Sequence, residues 1–157
     1  MNDESNHPVP RLGEIGLWNY APYLMNRIMG RFNASLREEM VGLGLTTPKM
    51  RALAVLSVVE APLIRELAVY AVTDPSTLSR ALDQLQTEGL IRREADGADN
   101  RAVRVIITEA GRAAFEHLWP QMAAANARMF RGIPEEERRA FVGTLQQMLT
   151  NIRRHEI

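Results

Sequence analysis

The hydrophobic positions of the chain form a succession of helical stripes, interrupted once by two short segments of strand character. Leu24, Ile28, Phe32 and Leu36 recur at every fourth position with Met25 and Met29 alongside, which predicts one apolar stripe along a helix from about Pro22 to Met40. Pro22 suits its first turn, and Gly42 with Gly44 ends it. A helix this long at the front of a small chain is expected to pack against something beyond its few neighbours. Ahead of it, Met1 to about Leu12 reads as a mobile polar arm, and Gly16-Leu17-Trp18-Asn19-Tyr20-Ala21-Pro22-Tyr23 as an aromatic-rich lead-in.

Thr46-Thr47-Pro48 reads as a cap followed by proline at the first helical position, opening a second helix that turns Leu53 and Leu56 inward and ends before Pro62. A short helix from Arg65 to Ala71 follows. In Thr73-Asp74-Pro75-Ser76, Asp74 caps and Pro75 opens a further helix through about Glu88, with Leu78, Leu82 and Leu85 on one face and Gly89 as its stop. Two helices joined by a tight polar turn make a helix-turn-helix pattern. Leu90–Ala95 and Ala102–Thr108 then read as the strands of a hairpin, the second rich in β-branched residues, around Asp96-Gly97-Ala98-Asp99-Asn100-Arg101. A hairpin directly after such a helix pair is a winged helix. Thr108 caps a long helix from Glu109 to about Arg131, expected to bend near Trp119-Pro120. The last helix starts at Pro134, with Glu135, Glu136 and Glu137 in its first turn and Arg153, Arg154 and His155 at its end, the charge order that complements the helix dipole.

The resulting fold class is mainly α, a winged helix-turn-helix flanked by long N- and C-terminal helices. Three regions are expected: residues 1–45 (arm and first long helix), 46–108 (winged helix) and 109–157 (C-terminal helices). At 157 residues, one compact domain with a helical extension fits and two large domains do not. Nineteen Lys plus Arg balance nineteen Asp plus Glu, and 46% hydrophobic residues is ordinary for a globular chain, so composition alone names no partner. The absence of cysteine excludes disulfides, thiolate zinc sites, iron–sulfur clusters and thiol redox sensing. Only His7, His117 and His155 occur, far apart, and no phosphate-cradling glycine loop is present, so neither an enzyme, a metal site nor a cofactor is expected. The first 14 residues are polar and acidic, and no apolar run approaches the roughly 20 residues that span a bilayer, which leaves the cytoplasm as the expected compartment and no membrane partner.

Ser76, Thr77, Ser79 and Arg80 project from the first turns of the second helix of the pair, where base edges are met in a major groove and where arginine can take guanine O6 and N7 together. On an isolated segment the same residues read as a solvated helix face; the following hairpin favours nucleic acid. Arg101 stands at the wing tip, suited to the negative potential of a narrow minor groove, and Asp99 can orient it or serve the turn itself. Arg92, Arg93 and Arg104 are either phosphate contacts or ion-paired surface groups. Residues 49–108 hold eight Lys plus Arg and eight Asp plus Glu, so a DNA-binding reading requires the acids to face away from the arginines.

The order and spacing of Gly44-Leu45-Thr46, Glu66-Leu67-Ala68, Ser76-Thr77-Leu78-Ser79-Arg80, Glu88-Gly89-Leu90-Ile91-Arg92-Arg93, Asp96 through Ala102 and Thr108-Glu109-Ala110-Gly111 resemble the multiple-antibiotic-resistance regulator (MarR) family of bacterial transcription factors. The chain departs from the family pattern at Pro62 and Leu63, where a polar cap is usual, at Gly97, where proline is common, and at Asn100, where arginine is common. The resemblance implies a symmetric homodimer in which the first and last two helices interleave and two winged helices meet a pseudo-palindromic double-stranded operator. It also implies a pocket between the first helix, the second helix and the start of the long helix after the hairpin. Mapped onto this chain, the pocket candidates are Trp18, Tyr20, Tyr23, Met25, Met29, Arg51 and Phe115, with Arg51 for a carboxylate of a partly aromatic effector. Methionines and aromatics at helical spacing serve equally as core or dimer interface, and Arg51 can equally pair with an acid or touch phosphate. The expected function is that of a repressor released by a small aromatic or anionic molecule. The alternatives are a ligand-independent activator or anti-repressor, and a winged helix used as a protein-interaction module.

Overall fold

A computed structural model describes residues 9–157. His7 and most of the expected polar arm lie outside the described residues; where the arm was expected to end, Leu12–Ile15 instead forms a short helix, α1, whose start is fixed by Arg11 N–H donating to Glu14 Oε2 at 2.9 Å. A 3₁₀ turn at Leu17–Asn19 leads into α2, Ala21–Gly42, which continues two residues past the expected Met40. The chain leaves α2 through Gly44 at φ 67°, and Leu45 N–H reaches back to Met40 C=O at 2.8 Å, an arrangement that needs a residue free of a Cβ penalty.

Five further helices and strands precede the C-terminal pair: α3 (Thr47–Leu56), α4 (Ile64–Tyr70), α5 (Pro75–Thr87) and the antiparallel strands β1 (Ile91–Ala95) and β2 (Val103–Ile107), then α6 (Glu109–Met129) and α7 (Glu135–Ile152). Pro48 stands second in α3, behind the Thr46 cap, rather than first. The chain separates into two compact units, one ending at Ser35 and the other Leu36–Ile157.

The core of the second unit is built from leucine stripes. Leu36, Leu53, Leu67, Leu78, Leu82, Leu85 and Leu118 are fully buried with Val105, so α3, α4, α5, α6 and β2 all contribute a side chain. The strand register pairs Ile91 with Ile107 and Arg93 with Val105, leaving Ile91 and Val105 turned inward. β2 also gains a neighbour on its other edge, because Val105 N–H donates to Pro62 C=O at 3.0 Å and Leu63 bridges Arg104. Thr108 Oγ1 caps α6 by accepting from Gly111 N–H at 3.1 Å, and its hydroxyl donates to Gly89 C=O at 2.7 Å, stapling the hairpin to the helix. Gly111 is required by packing: a Cβ there would overlap the Leu90 carbonyl oxygen and lie 2.9 Å from Ile107 Cγ1.

Two boundaries differ from the sequence reading. α6 ends at Met129 and carries Pro120 inside it without interruption. α7 ends at Ile152, so Arg153, Arg154 and His155 do not form its last turn: Arg153 is extended at ψ 146° and its guanidinium bonds Glu156 C=O at 2.6 Å, which draws the basic trio out of the helix. The acidic first turn, Glu135 to Glu137, is as expected. No side chain of α7 is buried, and Phe141, Val142, Leu149 and Ile152 are exposed.

Candidate nucleic-acid interface

The turn between α4 and α5 begins at Ala71 and passes through Val72, a β-branched residue held at φ 50°. Arg51 on α3 steadies it: its Nη1 donates to Val72 C=O at 3.1 Å. Asp74 then caps α5, accepting from Thr77 N–H at 2.9 Å and from Ser76 Oγ at 2.8 Å. Bonding to Thr77, through side chain and backbone, and then to Ser76 holds the Asp74 carboxyl well below the usual carboxylate range, so the cap is ionised. With Leu78 and Leu82 fully buried, the helix is locked in rotation, and Ser76, Ser79 and Arg80 are exposed along its first turns while Thr77 is half-buried. Ser76 is thereby committed to the cap, leaving Ser79 and Arg80 without an internal partner among the described residues.

The charge balance of the winged helix is resolved pair by pair. Lys49, buried on α3, donates through Nζ to Glu88 Oε1 at 2.6 Å and to Gly44 C=O at 3.0 Å. Arg92 pairs with Glu94 at 2.8 Å, and Arg93 reaches back to Asp83 at 2.8 Å and Gln86 at 2.7 Å. Arg104 donates to Asp96 Oδ1 at 2.8 Å and to Ala61 C=O at 2.8 Å. The hydrogen bond from Arg104 lowers the Asp96 carboxyl and raises the guanidinium in turn. Arg93 and Arg104 therefore brace the wing against α5 and the loop before α4. Once Asp83, Glu88, Glu94 and Asp96 are neutralised, the cations of this segment without an acidic partner, among the described residues, are Arg51, Arg65, Arg80 and Arg101, and Arg51 is spent on Val72 C=O.

At the wing tip, Asp99 Oδ1 accepts from Arg101 backbone N–H at 2.9 Å, an Asx turn that shapes the loop rather than holding the guanidinium. The Arg101 side chain is exposed and lines a depression of about 220 Å³ together with Arg65, Leu63, Ile64, Ala102 and Val103. Arg65 was not singled out in the sequence, since nothing in a charged residue at a helix start shows that a wing folds beside it.

The pocket candidates are divided. Trp18, Tyr20 and Met29 are exposed and Tyr23 and Met25 half-buried, all in the first unit, where Arg27 stacks over the Tyr23 ring at 5.8 Å. In the second unit a cavity of about 460 Å³ lies between α3 and α6, lined by Ala54, Ser57, Val58, Arg112, Phe115 and Trp119 with Glu116 and Met122. Phe115 is in it and Arg51 is not. The cation of this cavity is Arg112, which the sequence reading missed and whose Nη1 donates to Ser57 C=O at 3.2 Å; its place one turn before Phe115 is the signal that could have found it. His117 lies outside, 3.6 Å from Glu39.

Residues 43–102 match the model of the MarR family. A crystal structure of a transcriptional regulator of that family from Silicibacter pomeroyi is 59% identical, covers 94% of this chain and all of its own, and superposes with a TM-score of 0.90. The chain belongs to the MarR family. Membership makes it a transcriptional regulator and identifies α4 and α5 with β1 and β2 as a MarR-type winged helix-turn-helix. CouR of Rhodococcus jostii, crystallised with p-coumaroyl-CoA, is similar at 27% identity over 85% of this chain and 94% of its own, with a TM-score of 0.75. An HTH-type transcriptional repressor of Mycobacterium tuberculosis is 27% identical over 136 residues, 85% of this chain and 98% of its own. Among the described residues no helix is long and apolar enough to cross a membrane.

Proposed function

We propose that this MarR-family regulator is a repressor that binds a pseudo-palindromic operator as a homodimer. The observation that carries the reading is the exposed tip of α5, where Ser79 and Arg80 have no internal partner among the described residues while Leu78 and Leu82 fix the helix beneath them. In this reading Arg80 meets a guanine edge, Ser76, Thr77 and Ser79 support it at the groove, Arg101 meets the duplex at the wing, and Arg92 reaches phosphate from its exposed ion pair. Arg93, Arg104 and Asp99 hold the wing in shape instead. The regions 1–45 and 109–157 supply the dimer contacts, a role that the fully unburied α7 supports.

The effector is a small aromatic anion, received in the cavity between α3 and α6 with Phe115 and Trp119 as apolar walls and Arg112 for the negative group. The aromatic thioester bound by CouR supports that chemical class. Because α3 carries Ala54 of the cavity and Arg51 of the turn, with Ser57 directly after its end, an occupant that shifts α3 also moves the start of α5.

A mobility-shift titration on DNA from the gene's own upstream region tests this. Arg80→Ala is expected to weaken the complex by about 1–3 kcal/mol and to relax preference at one base pair, and aromatic carboxylates or their thioesters to release the complex. Equal binding by Arg80→Ala and the unmodified protein contradicts the docking; a complex indifferent to every aromatic anion contradicts the effector reading and leaves a ligand-independent regulator.

A further inference from the structure

Arg65 and Arg101 stand 36 positions apart in the chain, on α4 and at the wing tip, yet both line the same depression of about 220 Å³. The remaining lining, Leu63, Ile64, Ala102 and Val103, carries no charge. Both side chains are exposed, and no carboxylate among the described residues pairs with either, although Lys49, Arg92, Arg93 and Arg104 of the same segment each have one. Glu66, next in sequence to Arg65, is occupied: its Oε2 accepts from Leu63 N–H at 2.8 Å. Asp99, two residues before Arg101, accepts the Arg101 backbone N–H. Two arginines lining one uncharged depression repel each other unless an anion joins them, and planar guanidinium donors suit a tetrahedral oxyanion.

The two walls of the depression are held in place independently of any ligand. Val105 N–H on Pro62 C=O, the bridge from Leu63 to Arg104, and Arg104 on both Asp96 and Ala61 C=O tie the start of α4 to the wing. These bonds fix the start of α4 against the neck of the wing.

We propose that Arg65 and Arg101 together form a seat for a single DNA backbone phosphate at the junction of α4 and the wing. The proposal rests on the DNA-binding reading above and sharpens it: Arg101 acts with Arg65 on the backbone, as a positioning contact that reads no sequence.

The test is a salt series of fluorescence-polarisation titrations on an upstream duplex and on an unrelated duplex, using full-length protein and the variants R65A, R65K, R101A and R65A/R101A. Neutralising one phosphate contributes about 0.9 to the slope of log K against log salt. Removing either arginine is expected to lower that slope by about this amount for each chain bound and to weaken both duplexes alike, R65K to retain most of it, and the double variant to lose little beyond either single variant. Thermal melts of the four variants matching the unmodified protein locate the effect at the surface. An unchanged slope for R65A, losses in the double variant that multiply those of the singles, or an Arg101 effect confined to the upstream duplex overturns the shared seat while leaving DNA binding intact. Failure of the unmodified protein on both duplexes at every salt concentration instead removes the DNA-binding reading and the seat with it.

Discussion

The Arg104 guanidinium and the Asp96 carboxylate face each other at 2.8 Å across the neck of the wing. Because the same guanidinium also reaches Ala61 C=O, one side chain binds the hairpin to the loop that precedes α4. Arg104→Ala is expected to loosen the wing and lower the melting temperature even without DNA, whereas a pure phosphate contact would leave the free protein's melting temperature unchanged.

The acid limb of stability follows from Asp74 and Asp96, both of which ionise below the ordinary carboxylate range in the folded chain. A lowered folded value means that their contribution is complete above the unfolded value and is lost as pH falls through the folded one. Melting temperature should therefore hold down to the ordinary carboxylate range and decline below it. In Asp96→Asn and Asp74→Asn the decline should be shallower and start from a lower plateau; an identical acid profile in both variants contradicts the assignment.

Gly111→Ala is expected to destabilise the protein by roughly 2–3 kcal/mol, measured by denaturant unfolding, because the added methyl meets the rigid Leu90 backbone rather than a movable side chain. Stability within about 0.5 kcal/mol of the unmodified protein would contradict the close approach of α6 to the hairpin.

Lys49 is 3% exposed and serves Gly44 C=O and Glu88 at once, so Lys49→Ala should cost about 2–3 kcal/mol in the same measurement. Glu88 is 44% exposed in its side chain, and Glu88→Gln should cost less, about 1 kcal/mol. A larger loss for Glu88→Gln than for Lys49→Ala would mean that the carboxylate, not the buried amine, carries the contact.

Truncation after Phe130 removes α7, whose Phe141, Leu149 and Ile152 are exposed in the single chain. Sedimentation velocity should show loss of the dimer, with monomer or aggregate in its place. A truncated chain that sediments as the same dimeric species would contradict the role given to this helix.

Much of the winged helix was legible because its signals are local. Asp74 followed by Pro75, Thr108 ahead of Glu109, and the β-branched run from Val103 to Ile107 each specify their own few residues, and the structure places a cap, a cap and a strand there. The partners of the arginines were not legible. Arg93 meets Asp83 ten positions away and Arg104 meets Asp96 eight positions away, across elements whose packing no periodicity reveals. Arg51, mapped from the family resemblance as the pocket's cation, has a carbonyl for a partner, and Arg65 became a candidate only when the chain folded Arg101 beside it. The basic run Arg153 to His155 matched a dipole rule that the extended conformation of Arg153 then made irrelevant.

The most direct measurement is the stoichiometry and specificity of DNA binding: polarisation of a labelled upstream duplex titrated with full-length protein against excess unrelated competitor, over a series of salt concentrations. Saturable binding of two chains per duplex that survives competitor, and that falls in Arg80→Ala, is the expected result. Binding that competitor abolishes at every salt concentration, or a surface that engages no duplex at all, would contradict an operator-binding regulator and turn the exposed tip of α5 into a site for a protein partner.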